Sequence, residues 1–281
     1  MGERASSKTA IGVAMLRAAH QLHDGLPRIL EDPVAMRLLG AELQARVRDG
    51  AADYRAPRSM ALRAHVLLRS RFAEERLRAA AARGVTQFVV LGAGLDTFAF
   101  RQPEWAAALR IFEVDHPASQ AFKRDRLAAA GIAVPQNVTF APVDFEHDTL
   151  EGGLGRAGFD SRVETFVSCL GVLVYLQADA IAALFGFIAR LPAGSECVFT
   201  FGGTRGADEP GNPSLATVAA ALGEPWVSGM EVDDVAAVLA RAGLPAPVLP
   251  APAEIAGYLG ARTDGLQAPK RERLASVTVM T

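Results

Sequence analysis

Residues Phe88 to Arg101 read FVVLGAGLDTFAFR, and Arg110 to Asp115 follow as RIFEVD. The first stretch is an apolar strand running straight into Gly92, Ala93, Gly94 and Asp96; the second closes on Glu113 and Asp115. Glycine lets a backbone approach a ligand where a Cβ would collide. A carboxylate ending the second strand of a βαβ unit accepts hydrogen bonds from ribose hydroxyls. Gly94 and Asp115 are 115 − 94 = 21 residues apart, close to the roughly 20 expected of an adenosine-binding unit. Together the two stretches predict a nucleotide-type cofactor on a parallel sheet.

Outward from that pair, short apolar runs alternate with Ala-rich helical stretches, the pattern of a doubly wound α/β sheet. Strands are predicted at Phe88 to Leu91, Arg110 to Val114, Val138 to Val143, Thr165 to Leu170 and Cys197 to Phe201, with ASVTVMT as a terminal strand. Met230 to Ala242 reads as a helix stopped by Gly243 and Pro245, and Leu244 to Pro252 as an irregular, Pro-rich crossing. Ile181, Leu184, Phe185 and Ile188 form an ordinary buried helix face. Before Gly84 the chain is helical, with breaks near Gly25 to Pro33 and Asp49 to Pro57. The expected division is a helical cap over 1–83 and a cofactor-binding domain over 84–281.

Composition narrows the partners. The 281 residues are 50% hydrophobic, and 29 Lys plus Arg nearly balance 31 Asp plus Glu. This gives no footprint for a nucleic-acid backbone and favours a small-molecule acceptor. Cys169 and Cys197 both sit in apolar runs, and no stretch of 18 apolar residues occurs. Reduced thiols, a cytoplasmic location and no membrane span are expected, with oligomeric state left open.

Which ligand the glycine turn takes depends on its sixth position. A dinucleotide fingerprint wants Gly or Ala at 97, where this chain has Thr97 preceded by Asp96. A carboxylate there repels a pyrophosphate and suits a ligand carrying an ammonium and a sulfonium. The third strand ends in PVDFEHD, which places Asp144 and Phe145 where an adenine would lie.

The string of motifs resembles the leucine carboxyl methyltransferase family of S-adenosylmethionine enzymes, including its bacterial polyketide-tailoring O-methyltransferases. The matches are SSKTA at Ser6 to Ala10, RAAH at Arg17 to His20, EDPVA at Glu31 to Ala35, RSRF at Arg69 to Phe72, LGAGLDT, FEVDHP at Phe112 to Pro117, PVDF at Pro142 to Phe145 and GVLVYL at Gly171 to Leu176. The resemblance implies a class I methyltransferase sheet under a helical cap, with S-adenosyl-L-methionine as cofactor. On this chain it puts Gly92, Ala93 and Gly94 beside the methionine portion, Asp115 on the ribose, and Asp144 with Phe145 around the adenine. Glu113 and His116 lie beside these, and Arg69 pairs with the cofactor's carboxylate. Arg17 or Lys8 is expected to come down from the cap to the same region. Two positions depart from the family pattern: Phe98 stands where Arg is usual, and Leu170 where a Glu receives the cofactor's amino group, a task that would pass to Asp96 or water.

No catalytic dyad stands out. A carboxylate acceptor needs no base, whereas a phenol would draw on His147 or Tyr175. The leading expectation is O-methyl transfer to a carboxylate or a polyketide-like hydroxyl. Competing accounts are an impaired cofactor-binding protein, a protein C-terminal carboxyl methyltransferase and a nicotinamide oxidoreductase. Plainer readings also exist. Asp115 could be a helix N-cap, Arg69 and Arg71 a solvated face, Tyr175 a packed core residue, and His20 with His23 a helix pair short of a metal set.

Overall fold

The computed structural model describes residues 8–145, 147–202, 215–221, 223–268 and 273–281. At its centre lie six strands: β1 (Gln87–Leu91), β2 (Arg110–Asp115), β3 (Val138–Pro142), β4 (Thr165–Cys169), β5 (Glu196–Thr200) and β6 (Leu274–Thr278). They are ordered β3-β2-β1-β4-β5-β6. The first five are parallel, and β6 runs antiparallel along β5. Every residue of β1, β4 and β5 is buried, as expected of strands covered on both faces, whose sequences therefore read as apolar runs.

Alternation along each strand builds two cores. Val89, Leu91, Phe112, Val114, Val167, Cys169 and Phe199 face one side, against helices α7 (Leu150–Arg156), α8 (Ala178–Ala189) and α10 (Val232–Arg241). The predicted stripe of Ile181, Leu184, Phe185 and Ile188 is the face that α8 buries there. Phe88, Val90, Ile111, Phe166 and Val198 face the other side, against Phe72, Ala73, Leu77 and Ala80. Those four lie on helix α5 (Pro57–Ala82), so the second half of that helix forms part of the layer over the sheet. The doubly wound, Rossmann-like sheet expected from the sequence is thus the observed architecture.

Before α5 come α1 (Lys8–His23), α2 (Pro33–Leu38), α3 (Ala41–Asp49) and α4 (Ala51–Arg55). Asp32 caps α2, its Oδ1 accepting the Ala35 N–H at 3.0 Å, with Pro33 in the first turn where a missing N–H is harmless. Behind α1 a buried clamp ties these helices to α5. Arg63 donates from Nε and Nη2 to the two Asp24 oxygens at 2.7 Å each, and His20 Nδ1 lies 2.8 Å from the same carboxylate. His20 Nε2 accepts the Ile29 N–H at 3.1 Å, and His23 bonds the Val47 carbonyl. Both histidines of the pair therefore have structural partners. Leu95, from the glycine turn, packs among Ala14, Ala18, Ala35 and Val66, so cap and turn share one cluster.

Beyond β5 the order holds two additions to the sequence reading. Within the irregular crossing Val248 exchanges backbone hydrogen bonds with Ser276 of β6, at 2.8 and 2.9 Å. The chain then forms α11 (Pro252–Leu259), again with Pro in its first turn. Helices α6 (Pro117–Ala129) and α9 (Leu215–Ala221) complete the fold. Among the described residues no helix is long and apolar enough to cross a membrane.

Candidate active site

The strand order reverses between β1 and β4, and ligands of open α/β sheets lie outside the carboxyl ends of the strands at such a point. The site begins at the end of β1. Gly92 (φ +61) and Gly94 (φ +45) occupy left-handed backbone that side chains rarely adopt. A Cβ on Gly92 would collide with Val172 Cγ2, and one on Gly94 would press to 3.2 Å from Ala10 of α1. The first turn of the cap thus rests directly on the glycine turn.

From the neighbouring strand Asp115 meets that turn. Its Oδ2 accepts the Gly94 N–H at 2.5 Å and its Oδ1 the His116 N–H at 2.7 Å. The N-cap of α6 is His116, whose Nδ1 accepts from Ala118, so Asp115 does not cap the helix, and each of its oxygens retains acceptor capacity. Two residues back on β2, Glu113 is wholly buried with Lys123 Nζ 2.7 Å away. Strand alternation puts both carboxylates on one face, but only Asp115 reaches the strand end, and Glu113 sits beneath the site rather than in it. Burial pushes its pKa up to about 7, against the pull of Lys123 and with help from Asp96 and Asp115.

Asp96 links turn and cap. Its Oδ1 accepts the Phe98 N–H at 2.9 Å, and Arg17 Nη1 of α1 lies 3.2 Å from Oδ2. Burial works to raise its pKa, but Arg17, Lys123, Arg101 and the Phe98 amide outweigh it and hold the carboxyl below its usual range. Asp32, fully buried, takes the other side of the same arginine: Arg17 Nε lies 3.3 Å from Oδ2, which also accepts the Thr97 hydroxyl at 2.7 Å. Arg101 donates to Thr97 and makes a two-pronged pair with Glu74 of α5. The EDPVA, RAAH and LGAGLDT stretches therefore converge on one charged network. The role of Asp32 was missed by sequence reasoning, since its partners lie far along the chain.

On the β4 side the picture changes. Gly171 (φ +77) follows the strand, and a Cβ there would stand 2.8 Å from Arg69 Nη1. The Arg69 guanidinium lies against the strand end, its Nε buried without a hydrogen-bond partner. Among the described residues Arg69 makes no ion pair, whereas Arg71 pairs with Glu75 at 2.6 Å on the helix surface. Burial and nearby Arg17 bring the Arg69 pKa down to about 10. His65, one turn earlier, is pushed down to about 3 by burial and by Arg69, so it is neutral and a weak base. Leu170 and Phe98, the two departures from the family pattern, line one recess with Asp96, Glu74, Ser70 and Ser168.

The remaining candidates lie at opposite ends of the crevice. Asp144 and Phe145 follow β3, the Asp144 carboxylate 3.6 Å from His116 Nε2 and Phe145 packed against the sheet core. His147 is exposed on that loop. Tyr175 ends a 3₁₀ turn after β4, and its hydroxyl donates to Thr9 Oγ1 at 3.4 Å. The β3 and β4 ends are three strand spacings apart, about 14 Å, so His147 and Tyr175 do not share a reacting centre. Lys8 brings its backbone N–H to Glu224, while Arg17 is the cap cation that reaches the glycine turn. Ser6 and Ser7 of the first motif lie outside the described residues.

Against known proteins, the leucine carboxyl methyltransferase family profile matches residues 10–189. YktD of Bacillus subtilis, provisionally named an S-adenosyl-L-methionine-dependent methyltransferase, is 35% identical over 183 residues. That match covers 63% of this chain and 60% of YktD, so the chain spans about three fifths of that relative's length. A Frankia alni protein with the same provisional name is 34% identical over 81% of this chain and 78% of its own. Of solved structures, a DUF574 family protein from Streptomyces avermitilis superposes with a TM-score of 0.57 at 18% identity, covering 96% of this chain and 97% of its own. A provisionally assigned methyltransferase from Thermobifida fusca does so with a TM-score of 0.55 at 21% identity, over 87% and 92%. Both share the fold. The profile match spans well over half of the sequence, and the chain belongs to the leucine carboxyl methyltransferase family.

Proposed function

We propose that this protein binds S-adenosyl-L-methionine at the β1/β4 switch point and methylates an oxygen of a small organic acceptor, a carboxylate in the first instance. The observation that carries this reading is the Arg69 guanidinium against Gly171 with its buried Nε unpartnered. A buried donor without a partner is costly, and a planar fork of donors suits a carboxylate. Arg69 is thus the receptor for the cofactor's carboxylate, and Gly92, Ala93 and Gly94 admit its methionine portion. Asp115 takes the ribose hydroxyls, while Asp144 and Phe145 frame the adenine. When bound, the cofactor supplies an electrophilic sulfonium methyl that passes to the acceptor oxygen and leaves S-adenosylhomocysteine.

What the chain itself contributes is position and the exclusion of water. Cap helix α1 rests on the glycine turn through Ala10, and Arg17 locks it there through Asp96 and Asp32. Holding reactants in line is worth roughly 7 to 11 kcal/mol. A carboxylate acceptor is already a nucleophile at neutral pH and asks for no base. This agrees with a crevice where His65 is a weak base and His147 lies three strands from Tyr175. For a phenolic acceptor Tyr175 is the nearer candidate. The test is transfer of radiolabelled methyl into organic-extractable ester or ether. Label in macromolecules alone would favour protein C-terminal carboxyl methylation instead.

A second reading has its own observation. Leu170 occupies the position where the family resemblance puts a glutamate, and Phe98 lines the same recess, so the acceptor for the cofactor's ammonium falls to Asp96. Asp96 already serves Arg17 and the Phe98 amide. An impaired, cofactor-binding protein would bind S-adenosylmethionine and give no methylated product from any acceptor.

A further inference from the structure

The segment from Glu224 to Met230 crosses the ends of β4 and β5 and is fastened on both sides. Glu224 caps α1, its Oε1 accepting the Lys8 N–H at 2.6 Å while its carboxylate also takes the Thr9 hydroxyl. The Val227 and Ser228 N–H groups donate to the Val174 carbonyl at 2.8 and 3.2 Å, the Ser228 hydroxyl to Leu173 O at 2.6 Å, and the Met230 N–H to Gly202 O at 2.8 Å. Trp226 is held between these anchors. Its Cζ3 lies 3.7 Å from the Cβ position of Gly202, two residues past the end of β5, and Val174 Cγ1 lies 3.5 Å from that same point. Among buried side-chain donors here, the Trp226 Nε1–H is without a partner. An indole N–H normally finds an acceptor when buried, so one left over in a segment fastened across the carboxyl ends of β4 and β5 calls for a ligand.

The neighbours give that ligand's character. Val174 precedes Tyr175, which lies within electrostatic reach of Arg69 and donates to Thr9 on the first turn of α1. Trp226 and Val174 thus meet over Gly202 at the end of β5, and the next residue, Tyr175, leads from them toward Arg69 and the first turn of α1. We infer that Trp226 is an acceptor-reading residue: its ring packs a flat aromatic methyl acceptor and its indole N–H donates to an oxygen of that acceptor. The inference rests on the function proposed above and adds to it the acceptor class and the residue that selects it.

Trp105 and Trp226 are the two tryptophans of the chain, so Trp105→Phe leaves Trp226 as the sole indole fluorophore. With S-adenosylhomocysteine present, benzoate or phenol should change its emission saturably, and cyclohexanecarboxylate, which has the oxygens without the aromatic ring, at least fivefold more weakly. By calorimetry, Trp226→Phe, which keeps an aromatic ring and deletes the N–H, should raise the dissociation constant of whichever probe binds at least fivefold. The affinity for S-adenosylhomocysteine should stay within twofold. Emission indifferent to every probe in a protein that binds S-adenosylhomocysteine would overturn the inference alone, as would unchanged probe affinity in Trp226→Phe. A wild-type protein that fails to bind S-adenosylhomocysteine would overturn the underlying reading and this inference with it.

Discussion

The two sides of the crevice differ in how their polar groups are used. At the ends of β1 and β2, the groups at the strand ends are tied to each other: Asp115 takes two backbone N–H groups, Asp96 takes the Phe98 amide and Arg17, and Asp32 gathers Arg17, Thr97 and Arg101. At the ends of β4 and β5, the Arg69 Nε and the Trp226 Nε1 are buried with no hydrogen-bond or ion-pair partner among the described residues, whereas Arg17 Nε and Lys123 Nζ on the first side, which make no well-formed hydrogen bond, each lie against a carboxylate. The first side is built to fix the glycine turn and the cap in place before any ligand arrives. The second keeps donors in reserve. A substitution among the tied groups should therefore show as lost stability, joined by lost affinity at Asp115, which in the proposed function also takes the ribose, and one on the reserved side as lost affinity alone.

The largest expected effect breaks the scaffold beneath Asp115. Lys123→Met leaves Glu113 buried without its partner, and removal of one member of a buried pair costs about 3 to 5 kcal/mol; urea denaturation at pH 7 should show a loss of that size. Next comes Asp115→Ala, which should weaken S-adenosylhomocysteine binding at least tenfold, about 1.4 kcal/mol. An unchanged dissociation constant in calorimetry would remove Asp115 from the site. Arg69→Met should lower cofactor affinity by a similar factor while leaving the melting temperature of the free protein unchanged or higher, because no partner is orphaned. A drop in melting temperature with affinity intact would reverse the comparison.

A smaller effect is one of pH. The Glu113 pKa is raised from 4.5 to about 7 in the folded chain. Between those values the folded state holds a proton that the unfolded state has released, so this group's contribution to stability is present below pH 4.5 and is lost as pH rises toward 7. Glu113→Gln should remove that component. The stability difference between wild type and variant should shift toward wild type as pH is lowered from 7 to 5, and a difference constant with pH would contradict it. The smallest effect is expected at Arg71→Ala, a half-exposed ion pair with Glu75, within about 0.5 kcal/mol of wild type.

The sheet was legible in the sequence because β1, β4 and β5 are buried on both faces and read as largely apolar runs, with Gln87, Ser168 and Glu196 among their buried polar members. The ends of the five parallel strands fell within one residue of the observed ones for the same reason, while the terminal strand, expected over 275–281, spans Leu274–Thr278. Helix α11 was not legible: PAEIAGYL follows a Pro-rich stretch and carries a central Gly, so nothing local separates it from an irregular crossing. At the candidate site, the meeting of the Gly92–Gly94 turn with Asp115 was legible because one short loop and one strand end carry them. The placement of Glu113 turned on Lys123 of α6, and no spacing rule names that partner. Asp32 reaches Thr97 across 65 residues, Glu224 reaches Lys8 from 216 positions away, and Trp226 packs over Gly202, 24 residues before it. Such contacts follow from the packing of the cap on the strand ends rather than from any local pattern.

Calorimetry on the wild-type chain with S-adenosylmethionine, S-adenosylhomocysteine and NAD in turn tests the central claim most directly. The account predicts saturable binding of both adenosyl amino acids, reduced at least tenfold in Arg69→Met, and no binding of NAD. Tight NAD binding with no heat from S-adenosylmethionine would contradict it.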